Sequence, residues 1–382
     1  MNHNSIHNII KPFISSNLIN YKGWKTNKKI VVFESDDWGS IRMPSVETFQ
    51  TLKQNGIPVD RSPYCKFDSL ASEDDLDGLF STLTKFKDNK GNSPIITANT
   101  VIANPDFEKI KAVDYTNYYF EPFTETLKRY PQHNNSFELW KQGINSRIFF
   151  PQFHGREHVN VAMWLDLLRK NNTAFRLAFE NKMWGLSNDL FPSLPKSIQA
   201  TFDSNDNNLL EESIKSGLVL FEQIFGYKSE SFIANNFIWD VSLNSTLSAN
   251  GVRYLQGMKY QILPKEANGK RKLLRHHIGE INKNNQTYLI RNCAFEPSVD
   301  GFSYEKTIKE IGNAFFWKKP AIVSTHRINF IGYLDEKNRT TNLKNFSLLI
   351  ENILKEWPDV EFMTTVSLGH LISQNMTFNS LP

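Results

Sequence analysis

The feature that most constrains the fold of this chain is an alternation of short apolar runs with amphipathic helical stripes. Ile30 to Phe33, Pro94 to Thr97, Ile148 to Phe150, Phe175 to Leu177, Ser231 to Ile233, Arg253 to Leu255, Ala321 to Ser324 and Val360 to Met363 read as strands. Between them Leu76, Leu79, Phe80, Leu83 and Phe86 recur at helical spacing, as do Val161, Trp164, Leu165 and Leu168, and then Phe346, Leu349, Ile350 and Ile353. Leu210, Ile214, Leu218, Phe221 and Phe225 form a further stripe, which Gly226 ends as a left-handed C-cap. Repetition of strand and helix in this manner predicts an α/β fold with a largely parallel sheet, and seven or eight such units predict a barrel.

At 382 residues the chain fits one α/β barrel with insertions. We expect a polar leader over 1–26, a single barrel over 27–372 and a tail over 373–382. Asn99 to Pro131 and Pro264 to Phe302 interrupt the alternation and read as elaborations of the barrel rim, the second feeding a strand at Tyr288 to Arg291. The net charge of +4 is dispersed among acids rather than gathered in blocks, so no nucleic-acid footprint is present. Cys65 and Cys293 lack zinc-finger spacing and are expected as reduced thiols. With no secretory leader pattern and no apolar run of spanning length, a cytoplasmic protein without a membrane span is the expectation.

In barrels of parallel strands the carboxyl ends converge on one face, so residues distant in sequence can meet there. The strand Ile30 to Phe33 delivers Asp36 and Asp37 to that face; Phe149-Phe150-Pro151-Gln152-Phe153 leads into His154 and His158; Ile322-Val323-Ser324 leads into His326. Singly, each has a plainer reading, because adjacent acids cap helices or stay solvated and a lone histidine usually packs. Their coincidence at three strand ends points to a hydrolytic metal centre. Two imidazoles and one carboxylate suit a divalent metal such as zinc. A second carboxylate can take the proton of the attacking water and an imidazole can protonate the leaving group, roles open to Asp36 and His326.

The arrangement resembles the polysaccharide deacetylases of the NodB-homology type, carbohydrate esterase family 4. Glu34-Ser35-Asp36-Asp37-Trp38 is similar to that family's Thr-Phe-Asp-Asp-Gly, which implies Asp36 as catalytic base and Asp37 as metal ligand. His154-Gly155-Arg156-Glu157-His158 matches the spacing of its His-(Ser/Thr)-x-x-His, which implies His154 and His158 as the other ligands. Ser324-Thr325-His326 is similar to its last motif, making His326 the implied general acid. The resemblance covers about Lys28 to Leu371 and implies a distorted (β/α)7 barrel, a zinc-like cofactor and an N-acetylated poly- or oligosaccharide as substrate. Phe-Ile-Ala-Asn-Asn-Phe ending at Phe237 and His326-Arg-Ile-Asn-Phe resemble a divergent, Bacteroidetes-like branch.

The chain departs from the family pattern at several positions. Ala234-Asn235-Asn236-Phe237 stands where the family has Arg-x-Pro-Tyr, so the arginine that orients the base is missing from its place, and Arg156 and Arg291 are the candidates to replace it. The backbone N–H of Phe237 is the family-implied oxyanion donor, with the Asn235 and Asn236 side chains as alternatives to it or as residues of a tight turn. Gly155 and Trp38 replace a hydroxyl residue and a glycine beside the metal. Trp38, Tyr118, Tyr119, Trp184 and Trp239 are candidates to stack on sugar rings, against core packing; Asn99, Glu121, Arg291, Asn292 and Glu296 are polar candidates on the rim, against solvated loops. A silent carbohydrate-binding protein on the same scaffold, and a hydrolase of another amide or of an O-acetyl ester, stand as alternative functions.

Overall fold

The computed structural model describes residues 17–379 except 187, 205, 267–268 and 300–302. Parts of the expected leader, of the 264–302 segment with its Phe302 boundary, and of the tail therefore lie outside the described residues. The main sheet has nine strands: β1 Ile30–Trp38, β2 Ile96–Thr100, β3 Phe149–Phe153, β4 Ser231–Phe232, β5 Tyr254–Gly257, β6 Thr287–Ile290, β7 Cys293–Ala294, β8 Ala321–His326 and β9 Glu361–Phe362. Their order is β6-β5-β4-β3-β2-β1-β8-β7, with β9 also on β1, and every pairing is parallel. Helices separate most of these strands in the chain, so the architecture is the α/β barrel type expected, curled and incompletely closed.

Burial explains the apolar runs. Ile30, Val31, Val32 and Phe33 of β1 and Ala321, Ile322 and Val323 of β8 are fully buried, as strands covered on both faces must be. The helices that pack outside follow the expected stripes. Helix Glu73–Thr84 buries Leu76, Leu79, Phe80 and Leu83 and starts with a Ser72/Asp75 capping box; helix Asn207–Phe225 ends at Gly226, whose φ of 77° is left-handed.

The barrel ends, β6 and β7, are not joined by a ladder, yet they are consecutive in the chain. Arg291 and Asn292 cross between them: the Arg291 N–H donates to Gly257 O at 2.9 Å and the Asn292 N–H to Ile322 O at 3.2 Å. The segment thus changes partner from β5 to β8 within two residues, and Arg291 sits at the seam.

Two expectations need correction. Phe175 to Leu177 is helical, within Thr173–Glu180: Asn172 caps it by accepting from the Phe175 N–H, and Phe175, Ala178 and Phe179 bury one helical face. The 264–302 segment does more than decorate the rim, because β6 and β7 both arise from it. Off the sheet, the rim carries two small antiparallel hairpins, Ala103–Pro105 with Phe120–Pro122 and Tyr260–Ile262 with Leu273–Arg275. The described part of the leader is bonded to the barrel: Lys319 Nζ donates to Gly23 O at 2.6 Å and to Trp24 O at 2.8 Å, and the Trp24 N–H donates to Ile278 O at 2.8 Å.

At the other end one helix, Thr365–Asn379, runs across the expected boundary at 372. Cys65 and Cys293 are buried and form no disulfide. No helix among the described residues is long and apolar enough to cross a membrane.

Candidate metal centre and catalytic cavity

Adjacent residues on a regular strand point to opposite faces, so Asp36 and Asp37 could not both serve one site without a break in the strand. The break is present. The β1–β2 register shifts between Ser35 and Trp38, and Asp37 takes a φ of 74°, a left-handed conformation that Asp tolerates better than most residues. Both carboxylates consequently line one cavity of about 270 Å³, together with Arg42, Tyr64, His154, His158, Gln199, Ala234, Asn236, Phe237 and His326.

Asp37, His154 and His158 offer one ligand atom each within 4.8 Å of one another, all buried. Asp37 Oδ1 lies 3.4 Å from His154 Nε2 and 2.9 Å from His158 Nε2. Ligands about 2.1 Å from one tetrahedral ion sit about 3.4 Å apart, so modest side-chain rotation suffices to hold one. His154 Nδ1 meets Ile233 O at 2.9 Å, which makes Nδ1 the donor and turns the Nε2 lone pair toward the carboxylate. Two acceptors that face each other at this spacing fit a cation between them. Burial drives the His158 imidazole down to a pKa of about 4 against the pull of Asp37, so it is neutral, as a metal ligand must be. The two histidines do not share a helix face: 154–160 is irregular, Gly155 has a φ of 108°, and the helix begins only at Val161, capped by Asn160.

Asp36 occupies a different environment. Arg291 Nη1 donates to its Oδ2 at 2.7 Å and Nη2 to its Oδ1 at 2.6 Å, while Asn99 Nδ2 donates to Oδ1 at 2.7 Å. Burial would raise this carboxyl, but the bidentate guanidinium outweighs it and holds Asp36 below the usual carboxylate range. Arg291 Nε also donates to Glu34 Oε2 at 2.6 Å; burial wins there and pushes Glu34 upward. Of the two candidates to replace the missing arginine, Arg291 is therefore the one on the base. Arg156 is committed elsewhere, donating through Nε to Glu157 Oε2 at 2.6 Å and through Nη1 to Ser216 Oγ at 2.9 Å.

His326 is the register partner of Asp36 across the β1–β8 ladder, and its Nε2 lies 3.9 Å from Asp36 Oδ2. Its Nδ1 meets Glu296 Oε1 at 2.6 Å, and Asn329 Nδ2 holds Glu296 Oε2 at 2.7 Å. Burial would lower the imidazole, but the Glu296 carboxylate beside it raises the pKa to about 9. Glu296 is thus an orienting partner of His326 rather than a group facing the cavity.

Other expected contacts fall away. Trp38 is buried, donates from Nε1 to Ser35 Oγ at 2.9 Å and packs edge-on against Trp140 and Phe149, so it is core. Trp184 and Trp239 are also buried, although Trp184 stacks behind His158 with ring centroids 5.6 Å apart. Tyr118 and Tyr119 do not line the cavity. Glu121 pairs within the first hairpin and Asn292 bridges Asn20 and Pro320 O.

Asn235 is fully buried and donates to His154 O at 2.8 Å, which steadies a ligand backbone. Asn236 and Phe237 do reach the cavity wall, but the Phe237 N–H is already spent on Ala234 O at 2.9 Å inside its own turn, so the expected oxyanion donor is not available. The aromatic rings at the cavity are Tyr64 and Phe237.

Sequence reasoning missed Arg42, Tyr64, Asp68 and Gln199. Arg42 Nη2 donates to Asp37 Oδ2 at 3.0 Å, and this charge, with His158, keeps Asp37 well below the usual range despite burial. The Arg42 guanidinium packs against the Tyr64 and Trp184 rings, 5.4 and 5.1 Å from their centroids. Five residues beyond the acidic pair, in a loop, it carries no local signal that could have singled it out.

No family model matches this sequence, and no curated protein does. Among solved structures, a Mycobacterium smegmatis protein assigned as a polysaccharide deacetylase is 12% identical, with a TM-score of 0.46 over 93% of this chain and 94% of that one. A 4-alpha-glucanotransferase from Thermococcus litoralis is 9% identical, with a TM-score of 0.45 over 89% of this chain and 40% of that one. An allantoinase is 9% identical, with a TM-score of 0.43 over 91% of each. These three differ in chemistry, and likeness at this level does not choose among them; the side chains of the site must.

Proposed function

We propose that this protein is a metal-dependent hydrolase that removes acetyl groups from N-acetylated sugars, a polysaccharide deacetylase of the NodB-homology type. One observation carries the reading: a buried Asp37/His154/His158 set beside a carboxylate and an imidazole that share a rung of the β1–β8 ladder. Asp37, His154 and His158 would hold a divalent cation, which would supply Lewis acidity toward a carbonyl and ease the loss of a proton from water.

The chain's own groups do the rest. Asp36, kept ionised by Arg291, accepts a proton from the attacking water as its oxygen bonds to the acyl carbon. His326, kept protonated near neutral pH by Glu296, donates a proton to the leaving nitrogen as the C–N bond breaks. Acetate and a free amine result. Protonation of the leaving group matters far more for an amine than for an alkoxide, so a pKa of about 9 at His326 favours an amide over an O-acetyl ester as substrate.

The silent-binder reading drew its force from the missing motif-three arginine. Arg291 on Asp36 removes that motive. The cytoplasm remains the proposed location. Metal analysis of the purified protein, combined with acetate release from N-acetylhexosamine oligomers and O-acetylated sugars, tests the reading. One divalent ion per chain with acetate released from the N-acetyl panel is expected; a protein that binds no metal, or releases no acetate from any of them, refutes it.

A further inference from the structure

We propose that Arg42 is the donor that holds the acyl oxygen in this cavity. The inference rests on the hydrolase reading above and deepens it at one residue. Hydrolysis places negative charge on the former carbonyl oxygen as the water oxygen bonds to carbon, and a fixed N–H aimed at that oxygen is the usual way to lower the barrier. The expected N–H, that of Phe237, is consumed by Ala234 O.

Arg42 lines the same cavity and has donors to spare. It is 3% exposed, and of its guanidinium nitrogens only Nη2 makes a hydrogen bond, to Asp37. Nε lies 3.5 Å from Asp68 Oδ2, a charge contact without hydrogen-bond geometry, and Nη1 has no partner. Asp68 is itself occupied by Arg327, which donates to it from Nε at 2.9 Å and from Nη2 at 3.1 Å. An unpaired N–H on a buried cation is costly, and an acceptor brought beside it would recover that cost.

Several other polar groups lining the cavity are committed to partners of their own. Gln199 Nε2 donates to Gly185 O at 3.2 Å, His154 and His158 turn their Nε2 atoms to Asp37, and His326 sits beside Asp36. Contacts with the Tyr64 and Trp184 rings and the bond to Asp37 restrain the guanidinium, which limits the reorganisation needed when charge develops.

In the reaction the carbonyl π electrons move to the oxygen facing Arg42. They return to carbon as the C–N bond breaks, and the nitrogen leaves with the proton from His326. Arg42 stays a cation throughout and transfers no proton. A guanidinium that holds this oxygen in the intermediate also holds a carboxylate oxygen of the product, so acetate is a direct probe.

The test is acetate titration of the zinc-loaded protein, followed by arginine side-chain nitrogen NMR and calorimetry, for the wild type and Arg42→Lys. Lysine keeps a charge for Asp37 but cannot also present a second, fixed N–H edge. We expect acetate to shift the Arg42 nitrogens in the wild type, and Arg42→Lys to bind acetate at least about tenfold more weakly with metal content unchanged. kcat should fall about 100-fold with KM little altered, the loss typical of an oxyanion donor. Wild-type Arg42 resonances that ignore bound acetate overturn the inference whether or not the variant folds, as does an Arg42→Lys protein with wild-type acetate affinity. Arg42-dependent acetate binding in a protein that hydrolyses no acylated sugar would instead sink the hydrolase reading alone.

Discussion

Glu296→Gln isolates the role of the carboxylate behind His326. The substitution keeps an acceptor oxygen for His326 Nδ1 at the 2.6 Å contact but removes the charge that raises the imidazole to about 9 against its burial. Without that charge the pKa should return to about its ordinary value of 6.5, because Asp36 and Asp37 still act against burial. At pH 8 a group with a pKa of about 9 is about 90% protonated and one at about 6.5 about 3%, so kcat/KM at that pH should fall about 30-fold. At pH 6 the loss should be less than about twofold. The alkaline limb of the profile should therefore move from about 9 to about 6.5, read by acetate release across pH and by direct imidazole titration. Stability moves in step. Because the folded pKa lies above the unfolded one, the pair stabilises the fold fully below about pH 6.5, and this contribution, about 3 kcal/mol at most, is lost as pH rises through about 9. A limb that stays at about 9 in the variant, or a loss equal at all pH values, would refute the assignment of His326 as the acid.

Asp36→Asn should keep both fold and metal but lower kcat at least about 100-fold, measured by acetate release beside metal analysis. Arg291→Met strands Asp36 and Glu34 without their cation and should cost about 3–5 kcal/mol in urea unfolding; Arg291→Lys should lose less stability but still lose activity, because an ammonium cannot bridge both carboxylates. Chelation followed by zinc at about 100 times its Kd should raise unfolding free energy by about 2.7 kcal/mol, and His154→Ala should abolish that gain.

The three strand ends bearing Asp36/Asp37, His154/His158 and His326 were legible because a parallel barrel turns chain order into spatial convergence, and the apolar runs before them are hard to mistake. What was not legible depends on backbone geometry within one or two residues. The Phe237 N–H is lost to a turn whose Asn236 and Phe237 both have positive φ, 54° and 59°, which no composition rule reveals. Phe175 to Leu177 mimics a strand because its two apolar residues flank Arg176, and only the Asn172 cap and the burial of Ala178 and Phe179 identify the helix. Arg291 could be named as a candidate, but its reach to Asp36 across 255 positions depends on the partner change at the seam. Arg42 owes its place at the site to a contact with Asp37 that only the folded loop creates.

Where the barrel comes together also decides when it can work. β6 and β7 are the two margins of the sheet, and the chain between them carries Arg291, whose guanidinium bonds Asp36 and Glu34 on β1 and Ser324 on β8, so an opening of this seam would lift it from Asp36. A partly assembled copy would retain its metal-binding groups while its base lacked alignment. Turnover in this protein would then report completed closure, and a nascent or damaged chain would be inert rather than indiscriminately hydrolytic.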